Sequence, residues 1–253
     1  MKRFTILWSH QLWQMFIAPS TYIAAFMFLT FMAVMYLFSL VDISMSASDV
    51  SPLGKFLSVF WVPVLFMVPL LTMRSIAEER RMGTLATLMT TPVTAGQIVL
   101  AKFLACYFFY ILLWIMTLFF PLITELYIPN SIRAAGLMPM SQLLTGYGFI
   151  FISGAMYIAI GIFASSLTRT TLVAGMLSFG MLFLRLSARG SFQVRCLIAV
   201  LWPGCPSIDY LQTFRHLEDF SNSLLDTRPF FLYISTACML LAVTSLITEA
   251  KNA

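Results

Sequence analysis

Five charged side chains fall within eight residues, Arg74-Ser75-Ile76-Ala77-Glu78-Glu79-Arg80-Arg81, in a chain that carries few elsewhere. On a helix Arg74 and Glu78 stand at i,i+4, and Glu78 and Arg81 at i,i+3, so opposite signs can pair along one face. Gly83 can end or sharply bend that helix. Leu85, Leu88 and Met89 follow as a short apolar stripe, and Thr94 with Gln97 has the spacing of a capping box that restarts a helix. Together they describe a compact, charged helix-turn-helix held between two apolar segments, a shape able to carry a push from a soluble partner into them. From the charges alone, an ordinary solvated loop is the plainer reading.

Other chemistry is sparse. The only histidines are His10 and His216. His216 stands beside Glu218 and Asp219, but Phe214, Leu217 and Phe220 around it read as the apolar face of an interfacial helix. There is no His-Glu-x-x-His run, no Cys/His spacing of a metal site and no Gly-x4-Gly-Lys-Ser/Thr phosphate loop. Neither a metal, a cofactor nor a catalytic residue is expected. Cys106 and Cys238 fall in apolar runs and read as small buried side chains. Cys196 and Cys205 fall in a polar, proline-containing loop, where either free thiols or a disulfide fits.

These groups must be positioned by elements of unusual composition. Of 253 residues 60% are hydrophobic and only 10% charged, and mean hydropathy is +0.91. An ordinary soluble domain has roughly 25% charged residues. So much apolar surface needs lipid as its solvent. The fold class that follows is all-α: a polytopic membrane protein with six transmembrane helices. The net charge of +5 suits the Lys- and Arg-rich inner ends of membrane proteins rather than nucleic-acid binding.

Phe4, Leu7, Trp8, Leu12 and Met15 recur at helical spacing opposite Lys2, Thr5, Ser9 and Gln14, which predicts an interfacial helix at the N-terminus. Ser9, His10, Gln11 and Gln14 interrupt any signal-peptide apolar core. Spans are expected at 22–41, 57–73, 99–123, 143–167, 172–186 and 229–247, since about 20 residues cross a bilayer. Pro63 and Pro69 should kink the second. The fifth is the shortest. Residues 74–97 form the charged inner segment, and 187–228 an outer loop with short helices dipping into the interface. The whole of 1–253 reads as one transmembrane domain. No span carries a charged residue at its middle, which argues against coupling to a proton or sodium gradient. Lys and Arg favour the N-terminus inside by eight to seven, the arginines of 187–228 nearly evening the count. In the fourth span Gly154, Gly161 and Ser165 share a face, and Ala155 with Ala159 is a small-x3-small pair. Such a face serves internal packing or a dimer seam.

The run Glu78-Glu79-Arg80-Arg81-Met82-Gly83-Thr84-Leu85, followed by Thr91-Pro92-Val93, resembles the signature loop of ABC-2 type transport permeases. Phe214-Arg215-His216-Leu217-Glu218-Asp219-Phe220, with Leu225-Asp226, is similar to the loop before the last span in the gliding-motility and copper-processing branches. The resemblance covers essentially the whole chain. Where the family commonly has an acidic residue after Gly-Thr-Leu, this chain has Ala86. The resemblance implies a permease subunit, an exporter rather than an importer. It would pair with a second permease subunit, homo- or heterodimeric, in a bacterial inner membrane with both termini cytoplasmic. ATP would be hydrolysed by a separate subunit. The ATPase-coupling residues would be Glu78, Glu79, Arg80, Arg81, Gly83, Thr84, Leu85, Leu88, Met89 and Pro92. Two other functions remain open: a non-transporting membrane scaffold or assembly factor, and an intramembrane enzyme using His216 and Glu218. The apolar spans do not specify a substrate.

Overall fold

The computed structural model describes residues 2–45, 52–84, 94–127, 140–187 and 228–250. Every regular element among them is a helix, in the order α1 (Lys2–Ile17), α2 (Pro19–Met45), α3 (Pro52–Ser58), α4 (Trp61–Thr72), α5 (Ala77–Met82), α6 (Ala95–Thr117), α7 (Phe119–Tyr127), α8 (Met140–Leu167), α9 (Thr171–Ser187) and α10 (Arg228–Ala250). Pro19 opens α2 at the first helical position, where its missing N–H costs nothing. Thr94, in extended conformation, caps α6 and donates its N–H to Gln97 Oε1 at 3.4 Å, as the capping-box spacing predicts.

Prolines decide where the long apolar runs divide. Proline in a helix removes a hydrogen bond and crowds the carbonyl four residues earlier. The turn at 59–60 that separates α3 from α4 falls four residues before Pro63, and the break at Leu118 that separates α6 from α7 falls three before Pro121. The expected span at 99–123 is therefore two helices. Pro63 breaks the chain ahead of itself, in the first turn of α4, and Pro69 is accommodated inside that helix.

Five helical stretches are long and apolar enough to cross a membrane: Pro19–Val41, Trp61–Met82, Ala95–Thr124, Ser141–Leu167 and Pro229–Ala250. The second runs through a turn at 73–76 into the charged α5. The sixth expected crossing, in α9, is a 17-residue helix and falls short of that group. All-α and polytopic therefore describes the fold, with five clear spanning candidates among the described residues.

At the centre stands α8, packed against α4, α6, α9 and α10. Two-thirds of its most apolar stretch (67%) is buried, against 17% for α10, so α8 is the core and α10 the periphery. The core is aromatic: Trp114 and Tyr110 of α6 and Tyr147 and Tyr157 of α8 are all buried, with Trp114 edge-on to Phe28 of α2 and to Tyr147. Outward faces carry exposed Phe26, Leu37, Phe231, Met239 and Leu246, as lipid-facing helices do.

Candidate functional site

The charged segment folds where α4 ends. α5 is too short to hold itself together in isolation, and three contacts from other elements fix it. Ser165 of α8 lies against its N-terminus, where the N–H groups of Ile76 and Ala77 both donate to Ser165 Oγ at 3.1 and 3.0 Å. The same hydroxyl donates to Met73 O at 3.4 Å. A helix leaves its first N–H groups without internal partners. Ile76 supplies no side-chain cap of its own, so a serine 89 residues away in sequence does.

Arg80 makes the second contact. Its Nη1 donates to Ser166 O at 2.6 Å, fastening α5 to the last turn of α8. Partial burial first, and repulsion from Arg169 second, push the guanidinium below its usual value; arginine stays charged even so.

The third contact is an ion pair between Glu79 Oε1 and Lys102 Nζ at 2.6 Å. Lys102 lies two turns into α6 and is only 2% exposed. It also donates to Ser75 O at 2.6 Å and to Gln11 Oε1 of α1 at 3.4 Å. Three donors meet three acceptors, so the buried ammonium is fully satisfied. Through it α1, the 73–79 segment and α6 converge on one charge.

Of the two pairings that helical spacing offers Glu78, the structure shows the one with Arg74, at 3.7 Å between Arg74 Nε and Glu78 Oε2. Arg81 is exposed. Gly83 ends α5 in the left-handed conformation, φ 73°, with its N–H on Arg80 O, and Thr84 Oγ1 donates to Glu79 O at 3.3 Å. Leu85, Leu88, Met89 and Pro92 lie outside the described residues, as do Cys196, Cys205 and His216 with its acidic neighbours.

The small face of α8 lies against other helices of the same chain. A Cβ at Gly161 would overlap Thr72 of α4, and one at Gly154 the Tyr110 ring of α6. Ala159 is fully buried and Ala155 half-buried against the core. Thus the polar site and the close helix approach use one edge of α8, with Ser165 one turn beyond Gly161. Lys102 and Gln11 were not among the residues that sequence spacing singled out. They sit on separate elements from Glu79, and only the closeness of α1 to α6 brings them together. No group of three or more metal-ligating side chains occurs among the described residues.

Several apolar crossings and a charged helix fastened to the bundle define a multi-pass α-helical membrane protein. Residues 25–248 match the family described as ABC-2 family transporter protein. The chain belongs to that family and is a permease component of an ABC transporter. No curated protein matches it.

Proposed function

We propose that the chain is the membrane subunit of an exporter whose energy comes from a separate ATP-binding subunit docked on α5 and the segment after it. The observation that carries this reading is the three-point attachment of α5, through Ser165, Ser166 and Lys102, to α8 and α6. A push on Arg81, Gly83 or the stripe of Leu85, Leu88 and Met89 would pass into two spanning helices rather than dissipate in a loose loop. On this reading α5 faces the cytoplasm, and the translocation path opens at a seam between two permease subunits. Closure of the ATPases on ATP would tilt α4 and α6 together.

Isolation of the chain in mild detergent tests this directly. An ATP-hydrolysing subunit should accompany it, and should be lost or uncoupled when Gly83→Val and Leu85→Asp are combined. If no such subunit accompanies the wild type, or if the double variant assembles and hydrolyses ATP as before, the coupling role falls.

A further inference from the structure

Between α1, the start of α2, the α4–α5 junction and α6 lies a cavity of about 490 Å³, within the range of small-molecule sites. Its lining from α1, α4 and α6 includes the apolar Leu7, Met15, Leu71 and Cys106, with Gln11 and Gln14 among them on α1. Its polar wall holds His10, Arg74, Ser75, Glu78, Glu79 and Lys102. Leu71 and Cys106 each stand one helical turn from the polar Ser75 and Lys102, so apolar and charged lining adjoin at the end of α4 and on α6.

The wall is specific about its ligand. Lys102 has spent its three donors on Glu79, Ser75 and Gln11, so it offers nothing further. Glu79 Oε2 and Ser75 Oγ are buried without a hydrogen-bond partner. A buried carboxylate oxygen left bare is costly, and only a donor can relieve it. At the rim, Arg74 is 43% exposed and held by Glu78 only loosely, at 3.7 Å, so its guanidinium can turn to an anion. His10 is exposed and lines the same cavity. Two carboxylates, Glu78 and Glu79, against two cations, Arg74 and Lys102, make the wall balanced rather than basic. A ligand that brings an anion to Arg74 and keeps that balance brings a cationic N–H group to Glu79 Oε2, which is a zwitterion. The surroundings say where such a ligand comes from: the outer faces of α1 and α2 carry exposed Trp13, Ile17, Tyr22 and Ile23, side chains of the membrane boundary.

We propose that this cavity binds the headgroup of an ethanolamine phospholipid, its ammonium against Glu79 Oε2 and Ser75 Oγ, its phosphate toward Arg74 and His10, and its chain along the apolar lining. The site joins α1 to α5, so the bound lipid ties the interfacial helix to the charged segment. The inference needs the chain in a membrane but not the ATPase partnership proposed above.

The full-length chain, with whatever subunits accompany it, is stripped of loosely held lipid and offered vesicles of phosphatidylethanolamine, phosphatidylcholine or phosphatidylglycerol. Lipid retained per chain is then read by native mass spectrometry. Phosphatidylethanolamine should be retained about tenfold over the other two, since the choline head lacks N–H donors and glycerol lacks the cation. Arg74→Gln and Ser75→Leu should each lower retention about tenfold, as expected for losing a charge-assisted contact or filling the site. Ser75→Leu is the safer variant for folding, because its hydroxyl bonds to nothing. Equal retention of the three lipids, preference for phosphatidylglycerol, or wild-type retention in a folded Ser75→Leu variant would overturn the proposal. So would free phosphoethanolamine competing as well as the vesicle lipid, which would mark a site for a soluble metabolite. Selective lipid without an ATPase would sink the proposed coupling role and leave this one standing.

Discussion

Single hydroxyl and ammonium groups hold the charged segment, and their removal makes sharp predictions. Ser165→Ala leaves the N–H groups of Ile76 and Ala77 buried without their acceptor. The cost should be about 1–3 kcal/mol, the range for orphaning buried polar groups. A lower melting midpoint in detergent, with faster amide exchange across 76–82, is the expected result; unchanged exchange would show that the hydroxyl does not cap α5. Lys102→Met should cost more, on the order of 3 kcal/mol, because it strands Glu79, whose side chain is only 17% exposed. Pairing it with Glu79→Leu should recover part of that loss. A double-mutant cycle checks this, and simple additivity would mean the two side chains do not depend on each other.

The same residues mark what the sequence could and could not reveal. Arg74 and Glu78 were legible because i,i+4 spacing alone brings them together. Lys102 and Glu79 were not, since their meeting depends on how α6 returns past the end of α4. Ser165 was legible only as a small residue. Its capping role exists because the end of α8 abuts the start of α5, a tertiary fact that no periodicity carries.

At the scale of elements, apolar length announces the helices and proline sets their divisions. The proline rule explains the break before Pro121, where the sequence shows one unbroken hydrophobic run. Pro69 shows its limit, for α4 continues through it. The end of α5 rests on backbone conformation instead. At Gly83 an added Cβ would meet nothing within 4 Å, so any penalty comes from φ 73° alone. Gly83→Ala should therefore cost about 1–2 kcal/mol, the usual left-handed penalty, and Gly83→Asn clearly less. Gly161→Ala works by the opposite mechanism. Its backbone is ordinary helix, but the new methyl must displace the buried Thr72, which is bonded to Val68 O. Overpacking of this kind costs about 1–3 kcal/mol. Thermal melts of the four proteins, wild type included, should rank Gly83→Asn above Gly83→Ala, with Gly161→Ala losing the compaction of α4 on α8 as well. A Gly83→Asn as damaging as Gly83→Ala would point to a contact at that position instead of its conformation.

For the whole molecule the open quantity is parity. Five crossings put the two termini on opposite sides of the membrane, and six put them on the same side. The difference is α9, whose 17 residues reach about 25 Å at 1.5 Å per residue, against a hydrocarbon core of about 30 Å. A helix that short can still cross where the bilayer thins or where flanking basic side chains reach to the interface. Arg185 is the basic residue of its last turn. We therefore expect six crossings with α5 and both termini on the cytoplasmic side. In a chain whose four native cysteines are replaced, Arg81→Cys and Asn252→Cys should both react with a membrane-impermeant maleimide in inside-out vesicles. Neither should react in right-side-out ones. Ser191→Cys, beyond the end of α9 in the sequence, should show the reverse. Labelling of Asn252→Cys from the side opposite Arg81→Cys would mean that α9 does not cross. Labelling of Arg81→Cys only from outside would invert the molecule, and would place α5 where no cytoplasmic ATPase could reach it.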